Sequence, residues 1–220
     1  MDDALEKGFQ ITTMEALVLQ HLELVMRRFS HNFVGIQEAQ GYLDFLAYGM
    51  PNLVDEVIGK IVTIHQFTDI LQRLVREGIS IKDTKSILDA ISEWGRLEKE
   101  PEVLAEYVRA AFSRYISFRY SGGSGSINVW LLDSSIEDVI RAAIRKTAGG
   151  HYLTLDPVVS DSIVRSIQDA VETDASNPSG AVILTDLEIR RFVRKLIDVD
   201  LPNIAVLSYQ ELPAELQIKL

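Results

Sequence analysis

Three aspartates at the ends of short apolar segments are the residues best placed to do chemistry. Asp133, Asp156 and Asp186 each follow a segment typical of a buried strand and precede a helical pattern. The carboxyl ends of parallel strands meet at one edge of an α/β sheet, so these carboxylates could bind magnesium or act as acid and base. Each one also stands at a helix N-cap, where a carboxylate accepts backbone N–H groups. We favour the N-cap interpretation, and a small α/β metal-dependent enzyme is the alternative.

Other signatures of catalysis or cofactor binding are incomplete. The glycines at residues 122–125 and at 149–150 precede predicted strands, and the first group lacks the lysine of a phosphate-binding loop. No serine lies in a Gly-x-Ser-x-Gly elbow, and the chain has no cysteine. We therefore predict no catalytic, cofactor-binding or metal-binding residue. The four histidines, which lack the i,i+4 spacing of a helical metal site, are His21, His31, His65 and His151.

A basic band on the last predicted helix is the most concentrated charge in the second half. It consists of Arg190, Arg191, Arg194 and Lys195. Basic residues at i,i+3 and i,i+4 spacing near a helix C-terminus usually form a solvated face. The functional alternative is a docking site for an acidic partner.

The composition favours a folded acidic protein without a nucleic-acid partner. The 220 residues include 22 basic and 32 acidic side chains, and 47% are hydrophobic. An acidic surface repels phosphate backbones. The sequence shows no run of 18 apolar residues and no apolar signal-peptide core after its acidic first six residues. We expect a cytoplasmic location, and this is compatible with a soluble piece of a membrane protein.

The first 120 residues show the spacing of consecutive helices. Thr12 and Thr63 each precede Glu or Gln by three residues, as in a capping box, and Gly78 is placed to end the second of these helices. Ser80 is expected to start the next helix and Pro101 the last one. The first predicted helix ends near residue 30. Three more cover about residues 36–48, 52–60 and 63–77. A fifth begins at residue 80, and the last covers about residues 101–116.

The helical half contains more apolar residues than a stack of short helices needs for its core. We expect His21, Tyr42 and Phe45 to be packed inside. The candidates for exposed contact residues are Tyr48, Met50 and Trp94. Trp94 is the best of them, because charged residues flank it.

Residues 127–220 alternate between strand and helix patterns. The Ser/Gly segment at residues 121–126 has no side chains to bury and is typical of a flexible linker. The order β-α-β-α-β-α-β predicts a small, mainly parallel four-stranded sheet with helices on it. The fold class is thus multi-part α+β, an all-helical subdomain followed by a small α/β subdomain. The predicted strands are 127–132, 152–155, 181–184 and 204–208, the predicted helices about 135–146, 158–171 and 187–197, and a turn is expected at 177–180.

Five segments carry a resemblance to a known family. They are residues 35–40, 71–83, 107–111, 152–157 and 205–213. On these segments the chain resembles the C-terminal cytosolic region of the type III secretion export-gate protein, the LcrD/FlhA/SctV family. Residues 127–133 and 149–152 are more similar to the virulence branch than to the flagellar branch.

The resemblance implies a division of the chain and a place in the cell. Residues 1–33 correspond to the last helix of an otherwise missing first subdomain, and residues 34–120 to a helical ring-forming subdomain. Residues 121–126 are then a linker, and residues 127–220 an α/β subdomain. The full-length protein is expected in the bacterial inner membrane, with this part facing the cytoplasm.

The resemblance also implies a function in binding rather than catalysis. The family forms a ring of roughly nine copies that receives chaperone–substrate complexes and gatekeeper proteins and works with other export-apparatus proteins. The basic band described above is the candidate docking site for partners. The candidate oligomer-interface residues in the helical part are Arg73, Arg76, Asp83, Trp94 and Glu98.

Overall fold

The computed structural model describes residues 12–147, 150–173 and 182–219. Its contacts divide the chain into two compact units, Met1–Thr84 and Lys85–Leu220. The subdomain limits given above, with the flexible linker at residues 121–126, stay predictions. Several expectations lie outside the described residues: the charge of the first six residues, Gly149, the turn at 177–180 and the first residue of the strand at 181–184.

The first unit consists of helices α1 Met14–Arg28, α2 Ile36–Gly49, α3 Pro51–Val57 and α4 Ile64–Arg76. The capping box at Thr63 is confirmed, since Thr63 Oγ1 accepts the Gln66 amide at 3.2 Å. The cap of α1 is Thr13 and not Thr12, because the Ala16 amide donates to Thr13 Oγ1. Gly78 ends α4 as expected, with a φ of 71° that favours glycine.

Helix α4 forms the centre of the first unit's core. Its apolar side chains recur at helical spacing and are fully buried, as are two residues of α2 on the facing side. By contrast, α1 buries no residue, and His21 is exposed, so its expected packed position is wrong. The buried side chains at this centre are Ala39, Leu43, Phe67, Ile70, Leu71 and Leu74.

Helix α5 Thr84–Trp94 spans the division between the units, and α6 Pro101–Ala111 and α7 Ser113–Ser121 lie in the second unit. The predicted start of α5 at Ser80 is wrong, because the Ser80 hydroxyl accepts the Lys82 amide inside a turn and the helix begins later. The prediction of a single long helix from Pro101 is also wrong. The segment forms two helices that are divided at Phe112, whose amide donates to carbonyls of the preceding turn.

The second unit continues with β1 Ser126–Leu131, α8 Ser134–Ala143, β2 Ile144–Thr147, β3 Gly150–Leu153 and α9 Pro157–Thr173. It ends with β4 Val182–Thr185, α10 Leu187–Ile197, β5 Val206–Ser208 and β6 Gln217–Lys219. The expected parallel four-stranded sheet is confirmed, with the order β5-β4-β1-β6.

The membership of that sheet differs from the prediction in one strand. The predicted strand at 152–155 corresponds to β3, which forms a separate antiparallel hairpin with β2. The fourth strand of the sheet is β6, which was not predicted. The hairpin exists because α8 ends at Ala143, where the backbone of Ile144 becomes extended, and not at residue 146.

The core of the second unit lies between the sheet and the helices α8, α9 and α10. Strand β4 is buried along its whole length, as expected for a central parallel strand. Ile140, Ile167, Ile189 and Val193 pack in the same cluster. None of the helices among the described residues has the length and apolar character that a bilayer crossing requires.

Candidate functional site

Two of the three strand-end aspartates are helix caps. Asp133 Oδ1 accepts the Ser135 amide at 2.8 Å at the start of α8, and Asp156 Oδ1 accepts the Val158 amide at 2.8 Å at the start of α9. The hydroxyl of Ser135, and then its amide, lower the pKa of Asp133 by stabilising the carboxylate. The N-cap interpretation is therefore confirmed for these two residues.

The third aspartate uses its carboxylate differently. Asp186 occupies the N-cap position of α10, but its side chain makes no capping hydrogen bond and accepts from Arg141 Nη2 at 2.6 Å. Within the described part of the chain, no group of three or more His, Asp or Glu side chains is arranged to hold a metal ion. The three aspartates thus serve helix ends and an ion pair.

Carboxylates and hydroxyls do meet near the ends of β4 and β5. Glu137 accepts from the buried Thr185 hydroxyl at 2.7 Å. Burial, followed by the negative charges of Glu137 and Asp186, raises the pKa of Tyr209. The Tyr209 phenol therefore stays neutral at physiological pH.

The basic band on α10 is largely internal. Arg190 is fully buried, and its guanidinium donates from both Nε and Nη2 to Glu106 of α6 and from Nη1 to the Val206 carbonyl at 3.1 Å. The expectation that this residue belongs to a solvated face, or docks a partner, is wrong. Its charge is already matched inside the chain, because burying an unpaired guanidinium would be far too costly.

Two other members of the band also contact their own chain. Arg191 pairs with Glu102 of α6 at 3.1 Å, with little of its side chain exposed. Arg194 donates to the Ile204 carbonyl at 2.7 Å and pairs with Asp198. Of the four, Lys195 alone is exposed. The docking role of the band remains a proposal for Lys195 and the edges of Arg191 and Arg194.

A second buried ion pair joins two of the segments that carry the family resemblance. Arg109 Nε donates to Glu211 Oε1 at 2.5 Å, and both side chains are almost completely buried. The other carboxylate oxygen of Glu211 accepts the Ser208 amide at 3.1 Å. Helix α6 and the short 3-10 turn Tyr209–Glu211 are therefore tied by charge as well as by packing.

The charged side of α6 was not predicted from the sequence. Glu102, Glu106 and Arg109 lie at positions i, i+4 and i+7, which place them on one face of a helix. This shared helix face was the one sequence signal that these charged residues act together. The partners Arg190 and Glu211 stand 84 and 102 residues away in the chain, so spacing alone could not identify them.

His151 lies beside a carboxylate. His151 Nδ1 lies 2.6 Å from Glu100 Oε2, and Lys146 Nζ lies 3.7 Å from the other oxygen of the same carboxylate. Both His151 and Glu100 are about three-quarters buried, at 24% and 25% side-chain exposure. These contacts attach the β2–β3 hairpin to the residue that precedes α6.

The candidate interface residues lie on α4, at the end of α5 and in the segments that precede and follow α5. Arg73 pairs with Asp69 at 3.1 Å on α4, while Arg76 and Asp83 are exposed. Trp94 at the end of α5 stacks on Tyr107, with ring centroids 4.5 Å apart. Glu98 Oε1 accepts the amides of Lys99 and Glu100 and stabilises the turn after α5.

Among the residues that the structure describes, the most exposed aromatic side chains belong to α2. Phe45 is 86% exposed and Tyr48 is 97% exposed. The expected core position of Phe45 is wrong, because the buried side of α2 carries Ala39 and Leu43 while Phe45 points away from it. Tyr42 is half-buried, and Met50 is exposed as a contact candidate should be.

A family model matches almost the entire chain. The match to the FHIPEP family covers residues 1–217. The chain belongs to the FHIPEP family. This confirms the resemblance to the export-gate proteins of type III secretion, and the relatives below place it in the virulence branch.

Two curated relatives are similar over most of this chain. The low calcium response locus protein D of Yersinia pestis is 36% identical over 99% of the chain. The MxiA protein of Shigella flexneri is 39% identical over 81% of it. The chain spans 31% of the first protein's length and 26% of the second's, less than a third in each case.

Solved structures of relatives have the same fold. The CdsV protein of Chlamydia pneumoniae matches 99% of this chain with a TM-score of 0.86 and 39% identity, the chain covering 63% of that protein. A complex of CdsV and CdsO from the same organism matches equally well, at 38% identity and 64% coverage of the CdsV chain. A nonameric SctV-C from EPEC matches 99% of the chain with a TM-score of 0.84 and 33% identity, the chain covering 66% of it.

Proposed function

We propose that this chain is a ring-forming part of the type III secretion export gate. The observation that carries the proposal is its similarity, over 99% of its length, to a relative that was solved as a nonamer. A ring of nine copies supplies a large repeated surface from individually small contacts, because closure adds to the stability of every contact. This part of the protein faces the cytoplasm, and the full-length protein lies in the inner membrane.

The ring serves as a docking platform during export. Chaperones with their substrates, gatekeeper proteins and other export-apparatus proteins are the expected partners. The solved complex of the Chlamydia CdsV protein with CdsO supports binding of a further protein by this part of the family. Lys195 and the exposed edges of Arg191 and Arg194 are the candidate contacts for an acidic partner.

The chain acts by binding and not by catalysis. Asp133 and Asp156 are already occupied as helix caps, and Asp186 is paired with Arg141. Calorimetric titration with magnesium or manganese tests this part of the proposal. We expect no binding heat, and binding that an Asp156→Asn change abolishes would favour the metal-dependent enzyme instead.

Ring formation is tested by sedimentation and by electron microscopy at high protein concentration. We expect the wild-type chain to form species larger than a monomer, including closed rings. Because Arg73 and Arg76 extend from α4, reversing their charge to glutamate should weaken this assembly. A wild-type chain that stays monomeric at every concentration, including when tethered to a lipid surface, would overturn the proposed ring.

A further inference from the structure

The outward face of α2 is built for contact with another protein. Phe45 and Tyr48 stand one helical turn apart on the side opposite to the buried Ala39 and Leu43. Gly41 lies one turn before Phe45, and a side chain added there would meet no atom within 4 Å. The face therefore presents two aromatic rings beside an open notch. We call these three residues the α2 aromatic face.

The monomer gains nothing from this arrangement. An aromatic side chain can bury 150–250 Å² when it is covered, yet these two rings are almost wholly in water. Soluble proteins rarely leave such a patch open unless a partner covers it, and aromatic residues are enriched at interfaces. The patch therefore marks a contact surface in the first unit.

The charges around this face indicate which partner fits. Helices α2 and α3 carry Glu38, Asp44, Asp55 and Glu56, and residues 36–59 contain no lysine or arginine. The side of α4 that is turned away from its core carries Arg76 and Arg73 instead, and Arg73 pairs with Asp69 on the same helix at 3.1 Å. Because α2 and α4 pack through their buried sides, their exposed sides point in different directions. One unit thus offers an acidic aromatic surface and a separate surface whose basic residues are Arg73 and Arg76.

We propose that the α2 aromatic face of one copy packs against the basic side of α4 in the next copy. A ring requires two different, mutually complementary surfaces on every subunit, because a head-to-tail contact repeats around the axis. A second copy of this chain supplies the complementary charge in every subunit, and a nonameric relative shows that such copies associate. This inference rests on the proposed ring and identifies its contact.

The first experiment removes the aromatic rings. The double variant Phe45→Ala with Tyr48→Ala should self-associate at least about tenfold more weakly than wild type in sedimentation velocity, since exposed aromatics are typical interface hot spots. Its thermal unfolding should be unchanged, because neither ring is packed in the monomer. The matched control is Val158→Ala with Val199→Ala, which removes side chains that are 76% and 78% exposed in the second unit. This control should assemble like wild type.

The second experiment uses mixing to test the direction of the contact. The variant Arg73→Glu with Arg76→Glu has a damaged basic surface and an intact α2 aromatic face. Each double variant alone should remain monomeric. An equimolar mixture should form 1:1 dimers and nothing larger, because one copy contributes the intact aromatic face and the other the intact basic side.

The outcomes separate the two proposals. If wild type forms rings and the Phe45/Tyr48 variant forms them equally well, the contact is wrong and the ring stands. If the mixture yields full rings, or if chemical cross-linking captures no more dimers in the mixture than in either variant alone while wild type assembles, the head-to-tail pairing of these two surfaces is wrong. If wild type does not assemble at all, the proposed ring itself fails.

Discussion

The two units use charged and aromatic side chains in opposite ways. In the second unit four charged residues are buried as two pairs, Arg190 with Glu106 and Arg109 with Glu211. Among the described residues of the first unit the buried polar side chains are Thr68 and Thr84, and none is charged. The first unit instead leaves Phe45 and Tyr48 in solvent. The second unit thus pairs its buried charges internally, whereas the first unit leaves two aromatic rings in solvent, where we propose that a neighbouring copy covers them.

The largest expected effect comes from breaking a buried pair in the second unit. Arg190→Ala leaves Glu106 buried without its partner, which should lower the free energy of unfolding by about 3–5 kcal/mol. Denaturant unfolding measures this loss. Replacing both residues together, Arg190→Met with Glu106→Leu, should cost much less, because no charge is then left unpaired.

Lys85→Ala is the control for this prediction. Its pair with Asp89 is about half exposed, so the loss should be about 1 kcal/mol or less. An equal loss for Arg190→Ala and Lys85→Ala would show that burial does not set the cost, and the contrast between internal and surface charge would fail.

The next prediction compares two phenylalanines within the first unit. Phe67 is fully buried, so Phe67→Ala should cost about 3–5 kcal/mol of stability. Phe45→Ala should change the stability by less than about 0.5 kcal/mol, since the ring lies in water. Thermal and denaturant unfolding of dilute monomer distinguish the two. A large loss for Phe45→Ala would mean that this ring supports the fold and is not reserved for contact.

Local features were predictable from sequence because their partners lie three or four residues away. Thr63, Gly78 and Asp133 were each assigned correctly, since a helix end is satisfied by its own neighbours. The parallel sheet was also predictable, from apolar strands that alternate with helices. These features depend on short stretches of chain.

Features that depend on distant partners were not predictable. Arg190 has the spacing of a surface residue, and only Glu106, 84 positions away, makes its burial possible. Strand β6 is exposed along its length and belongs to the sheet only because β1 offers it an edge. Phe45 is apolar and aromatic, like many core residues. It is nevertheless exposed, because only the side of α2 that carries Ala39 and Leu43 is covered by other elements.

Thr63→Ala tests a smaller, purely local contribution in the first unit. The Thr63 hydroxyl accepts a hydrogen bond from the Gln66 backbone amide, and the Thr63 backbone amide donates to Gln66 Oε1 at 2.8 Å. Losing this cap should lower the stability by about 1 kcal/mol. Thr63→Ser keeps the hydroxyl and should stay close to wild type. Equal losses in the two variants would point to the methyl group instead of the cap.

The smallest expected effect is a pH dependence that originates at the Asp133 cap of the second unit. Hydrogen bonds from Ser135 hold the pKa of Asp133 below its ordinary value of 3.8 in the folded chain. The carboxylate therefore stabilises the fold above pH 3.8, and this contribution disappears as the pH falls through the lower folded pKa. Asp133→Asn still caps the helix but does not titrate, so its stability difference from wild type should shrink in acid. Ser135→Ala removes the strongest cause of the shift and should weaken the same pH dependence. If the difference between wild type and Asp133→Asn were constant from pH 7 down to pH 2, the carboxylate would not be the stabilising species, and the cap would depend on its geometry alone.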